Sequence, residues 1–181
     1  MTLADLRAAV AAWAYAGTDL PTGKVIWADQ GGPRPVAPYV SLAIISGDQL
    51  HGMDWVDVED ADSPIDGAEI RHVVRGPRTC TLSVQCFGLT ATAADGVAGA
   101  SPLALLARMR AHTRLPTVRA ALVAAGVGVG TLGDVASVGS LISTVTSEPR
   151  AAFTVTLNYT SEVEELGTFI ETAKVEGTLE P

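Results

Sequence analysis

Two stretches of strict alternation constrain this chain more than any other feature. From Arg78 to Phe87, the residues Cys80, Leu82, Val84 and Cys86 fall on one side, and Thr79, Thr81, Ser83 and Gln85 on the other. From Ala151 to Tyr159, the residues Phe153, Val155, Leu157 and Tyr159 share a side. A repeat of two is the β-strand period, and an apolar set on one side describes a strand with one face on a core. The chain must therefore build a sheet with a covered face, and something apolar has to cover it.

The cover comes from helix signals elsewhere. Leu3, Leu6, Val10 and Trp13 line one face of a predicted helix over 3–16. Thr2 with Asp5 three residues on resembles a capping box, and Gly17 supplies an expected stop. Ser101 and Pro102 read as an N-cap and first helical position, followed by the stripe Leu103, Leu106 and Met109 through about His112. Pro116 opens a third helix, with Val118, Leu122 and Ala125 inward and Gly126 as its end.

Further strands are expected at Val25–Trp27, at Tyr39–Ile45 after a rigid loop at 31–35, and at Phe169–Glu176; a short one fits within Val135–Val145. Glu69–Arg75 and Arg78–Phe87 read as a hairpin around Gly76 and Pro77. The stretch 46–69 reads as an acidic loop bearing Trp55, and Gly126–Asp134 as a loose glycine-rich connection. Strands neighbour strands more often than they alternate with helices. That order predicts an α+β fold, a mostly antiparallel sheet with helices packed on one face. With 181 residues, one domain spanning 1–181 is expected, because two would leave each near the lower size limit.

Charge narrows the function. Twelve Lys and Arg against twenty Asp and Glu give a net charge of -8, which argues against a general nucleic-acid-binding surface. The N-terminus lacks a basic leader, and the uncharged run from Ala120 to Gly133 is too short for a membrane span, so no signal peptide and no membrane partner are expected. Cys80 and Cys86, six apart in one strand, would lie about 20 Å from each other, too far for a disulfide. Buried free thiols fit a reducing compartment.

Catalytic and cofactor signatures are weak. Residues 128–133 spell G-x-G-x-x-G, but a helix precedes them and no convincing helix follows, the reverse of a dinucleotide-binding turn. The acidic stretch lacks the EF-hand spacing. His51, His72 and His112 are scattered without zinc-ligand spacing. Glu162, Glu164 and Glu165 read as a solvated strand end rather than paired catalytic carboxylates. No catalytic residue, metal site or cofactor is expected. Long connections at 46–69 and 88–100 on a small rigid domain point instead to interactions.

The stretch Val25-Ile26-Trp27-Ala28-Asp29-Gln30, then Pro33-Arg34-Pro35 and Pro38-Tyr39-Val40, resembles the opening of the neck or tail terminator proteins of long-tailed bacteriophages. Later landmarks follow in the same order: Arg78 to Gly88, the helices at 103–110 and 116–126, Glu148-Pro149-Arg150-Ala151-Ala152-Phe153 entering a strand, and Ser161-Glu162. The resemblance implies a non-enzymatic virion protein of the tail–head junction, made in the host cytoplasm. It implies a homo-oligomeric ring, usually of six subunits, that sits on the last tail-tube ring, ends tail polymerisation and meets the head–tail connector protein. DNA would pass through the lumen without specific binding, and an acidic wall suits that passage. Two alternatives stand beside it: another virion part, such as a head-completion or minor tail protein, and a small hydrolase with a site assembled only in the fold. Because aromatics and arginine are enriched at interfaces, Trp27, Arg34, Tyr39 and Trp55 are the candidate contact residues, with Trp27 and Tyr39 fitting a core equally well.

Overall fold

A computed structural model describes residues 1–60, 69–88, 101–138, 140–141 and 147–168. The chain runs through α1 (Leu3–Thr18), β1 (Val25–Trp27), β2 (Tyr39–Leu50), β3 (Trp55–Asp60), β4 (Glu69–Phe87), α2 (Pro102–His112) and α3 (Pro116–Ala124). It continues with β5 (Val127–Leu132), β6 (Ala136–Ser137), β7 (Ser140–Leu141), β8 (Ser147–Glu148) and β9 (Arg150–Thr168). The architecture is α+β, as expected. The main sheet has the order β1-β2-β4-β9-β5, with β3 also on β4 and β6 on β9. Only β1 and β2 run parallel within it. β7 and β8 pair separately.

The alternating strands face where their pattern places them. Cys80, Leu82, Val84 and Cys86 of β4 and Phe153, Val155 and Leu157 of β9 join one buried cluster with the helices. From the helices come Leu6, Val10 and Trp13 of α1, Leu105, Leu106 and Met109 of α2, and Leu122 of α3. Trp13 meets Phe153 edge to face, with ring centroids 6.5 Å apart. Its indole N–H donates to Thr113 Oγ1 at 3.1 Å, and the Thr113 hydroxyl donates to the Met109 carbonyl at 3.0 Å. A polar pair is thereby satisfied inside an apolar layer, as burial requires. Both cysteines are buried and neither is in a disulfide, and burial pushes the Cys86 thiol pKa up to about 12.

The α1 capping box forms. Thr2 Oγ1 accepts from the Asp5 N–H at 3.2 Å, and Asp5 Oδ2 accepts from the Thr2 N–H at 2.9 Å. Gly17, however, is not the stop. The helix ends at Asp19, which takes the left-handed φ of 60°. Gly17 sits against α2, where an added Cβ would lie 2.9 Å from Met109 Cγ and 3.2 Å from its Cα. In α2, Leu105 is buried in place of the expected Leu103, which is exposed, and Ser101 makes no side-chain cap.

Three loop expectations are overturned. The hairpin at Gly76–Pro77 does not exist, because β4 passes straight through the pair and stays in register with β9 from Glu69 to Phe87. On the other edge of β4, β2 ends opposite Arg78 and β3 begins opposite Arg75. Gly76 and Pro77 thus face the step between β2 and β3, so the missing Pro77 N–H costs no ladder bond there, while its carbonyl accepts from the His51 N–H at 3.0 Å. The described part of the acidic stretch 46–69 is mostly extended chain: it holds the end of β2, all of β3 and the first residue of β4. The glycine-rich stretch is strand β5 on β9, with a register shift between Val129 and Leu132. Glycine suits that site because a Cβ on Gly133 would fall 2.8 Å from Thr154 Oγ1. The expected strand at 169–176, the rest of the acidic stretch (61–68) and the long connection at 89–100 lie outside the described residues.

Candidate functional site

The first cluster lies where β1, β2, β4 and β9 meet, with Tyr39, Phe87 and Arg150 on the face away from the helices and Trp27 on the helix side, in the buried cluster. Tyr39, Phe87 and Arg150 form one rung across β2, β4 and β9. The Tyr39 and Phe87 rings stack at 4.7 Å and 8°, and the Arg150 guanidinium lies 5.0 Å over the Phe87 ring. Arg150 also donates to the Gln85 side chain. Nearby, the Arg7 guanidinium sits 5.0 Å over the Trp27 ring and pairs with Asp29. Between these groups is a cleft of about 410 Å³ lined by Trp27, Arg34, Tyr39 and Arg150 among others. Three of the four expected contact residues therefore share one cleft. Trp27 and Tyr39 are buried in its wall, and Arg34 is exposed.

The fourth, Trp55, stands apart on β3. It is 45% exposed, and its indole N–H donates to Asp57 Oδ2 at 3.2 Å. β3, the first half of β4 and the end of β9 make a three-stranded arm, none of whose described side chains joins the main buried cluster. β4 and β9 each run 19 residues, roughly 60 Å of extended chain. One face of the arm is ionic: Arg75 bridges Asp57 at 2.7 Å and Glu162 at 3.0 Å, and Arg71 lies 3.8 Å from Glu164. The opposite face carries a rung of three valines, Val56, Val74 and Val163, directly opposite one another. Val56 is 60% and Val163 66% exposed. At the arm's base Arg78 holds Asp54 through both Nη atoms, which keeps the Asp54 carboxyl below its usual range.

A third surface is basic. Residues 102–133 contain Arg108, Arg110, Arg114 and Arg119 and no carboxylate. Arg114 borders two adjoining clefts, one shared with Arg110 and Asp134, the other with Arg119, Val129 and Leu132. Arg110 donates to the Gly133 carbonyl at 2.8 Å and to Asp134 at 3.2 Å, whereas Arg114 and Arg119 are exposed and make no ion pair among the described residues. Neither the valine rung nor this corner was among the expected contacts. The signals were present, in the Val56/Val58 alternation and in the carboxylate-free stretch around four arginines.

His51 lies between β2 and β3, His72 on β4 and His112 at the end of α2. Among the described residues, no cluster of His, Cys, Asp and Glu could hold a metal ion, and no helix is long and apolar enough to cross a membrane. Aromatic and arginine clusters, an apolar arm face and a basic corner are the surfaces that the described residues present. A profile of the phage neck terminator proteins matches residues 4–181, and the chain belongs to that family. No curated protein matches the chain. Neck terminators are structural components of the phage particle, not a class of enzyme.

Proposed function

We propose that the protein ends the growing tail as a ring, usually of six copies, seated on the last ring of tail-tube subunits, and that its opposite side receives the head–tail connector. The observation that carries this reading is the family match along nearly the whole chain. The physical chemistry agrees with it. A heterologous contact repeated with a closing rotation gives a ring from one small subunit. The paired long strands supply a stiff wall, and the net charge of -8 suits a lumen that DNA must cross without sticking. Trp27, Arg34 and Tyr39 around one cleft, and Trp55 on the arm, are its proposed contact residues.

Infection with a phage deleted for this protein tests the proposal. Tails of abnormal length and DNA-filled heads without tails are expected, with rescue by the supplied protein. Normal-length tails joined to heads in its absence would overturn it.

A further inference from the structure

The arm and the corner between α2 and α3 are opposite in charge. The arm strands at 51–60, 69–75 and 161–168 carry eight carboxylates and two arginines, with Asp57, Glu162 and Glu164 on the ionic face and Glu165 on the valine face, while residues 102–133 carry four arginines and no carboxylate, Arg108 and Arg110 being paired with Asp19 and Asp134. Each surface also exposes apolar side chains, Val56 and Val163 on the arm, and Leu115 and Val123 at the corner. An apolar centre with a charged surround is the usual anatomy of a protein interface. The two surfaces belong to different parts of the sheet: the arm lies beyond the buried cluster, whereas α3 contacts β5 at the far edge.

We propose that the valine face of one copy's arm docks on the Arg114–Arg119 corner of the next copy. The inference rests on the ring reading and specifies its subunit contact. Two complementary, non-overlapping surfaces on one chain are what a head-to-tail ring needs. A second copy is the occupant because it brings both charges at once. Glu165, exposed beside the valine rung, faces Arg114 and Arg119, and Val56 and Val163 cover Leu115. DNA could meet the arginines but would be repelled by the carboxylates of the arm.

The test places cysteines at both surfaces of the full chain, Glu165→Cys with Arg114→Cys, and adds a bis-maleimide, alone and with purified tail tubes. Buried Cys80 and Cys86 keep the background low. The double variant should give a ladder of covalent multimers, and either single variant should give none. Charge reversal supplies a second reading: Glu165→Lys, or Arg114→Glu with Arg119→Glu, should each weaken self-association more than tenfold. An equimolar mixture of the two should restore it, since each then finds its complement. Rings seen by electron microscopy without the ladder, and unaffected by reversal, would overturn this contact and leave the ring standing. Absence of rings on the tubes as well would remove both. Duplex DNA bound by the wild type and lost on arginine reversal, with no ladder, would assign the corner to nucleic acid and overturn the proposal.

Discussion

Arg78 holds the Asp54 carboxylate with both Nη atoms, at 2.6 and 3.0 Å, across the step where β2 gives way to β3. The carboxylate lies directly over Gly76, where an added Cβ would fall 1.8 Å from Asp54 Oδ1. Gly76→Ala should therefore displace the carboxylate and open the bidentate pair. A Tm decrease of roughly 3 °C is expected, with the arm amides exchanging faster than those of the core. An unchanged exchange pattern would show that the pair does not tie the arm to the sheet.

The same pair gives the arm a defined acid response. The folded pKa of Asp54 lies below the ordinary 3.8, because Arg78 donates to the ionised form. A depressed carboxyl contributes stability that is present above the unfolded pKa and lost as pH falls through the folded one. Arm protection should hold at pH 5 and decline below about pH 4, and Asp54→Asn should lessen that decline. Hydrogen exchange against pH measures it.

At the α1–α2 contact two effects oppose each other. Gly17→Ala gains about 1 kcal/mol of helix propensity. It also forces a methyl group to 3.2 Å from the Met109 backbone, and overpacking costs about 1–3 kcal/mol. Net destabilisation of about 1 kcal/mol is expected in urea unfolding. A more stable variant would mean that the helices can separate freely.

Thr113→Val removes the acceptor of the buried Trp13 N–H while keeping the side chain's shape. A buried donor without a partner costs about 1–3 kcal/mol. Leu106→Ala, in the centre of the helix layer, should cost about 2–5 kcal/mol. Near-native stability for either variant would contradict the packing described above.

Cys86 should resist alkylation in the native protein, since its thiol pKa is about 12 and its side chain is buried. Iodoacetamide labelling at pH 8 should follow urea unfolding and not precede it. Fast labelling without unfolding would place Cys86 near the surface.

The elements legible in the sequence were those whose pattern carries its own period. β4 beyond Arg78, β9 as far as Tyr159, Leu6, Val10 and Trp13 of α1, and Leu106 and Met109 of α2 follow from alternation or from three-to-four spacing, whereas Leu3 and Leu103 of the same stripes are exposed. The structure departs from the sequence pattern where glycine or proline reads as local punctuation. Gly76–Pro77 reads as a turn, yet it lies in a strand because its neighbours step away on one side. Gly17 reads as a helix stop, yet it makes room for Met109. Gly128 and Gly130 read as a loop, yet both lie in β5, where Gly128 pairs with Asn158 and an added Cβ on Gly130 would fall 3.3 Å from the Thr156 carbonyl oxygen. In each case the deciding contact is distant in sequence. The candidate site behaved likewise. Residue type pointed to Trp27, Arg34 and Tyr39, but only the Tyr39–Phe87–Arg150 rung shows that they surround one cleft.

The proposed place in the particle can be read from a cryo-electron microscopy reconstruction of the intact phage. Closed density matching this fold is expected between the last tail-tube ring and the connector, with acidic side chains over-represented on the lumen wall. Density for the chain at the tail tip or on the capsid, or a strongly basic lumen at the neck, would contradict it.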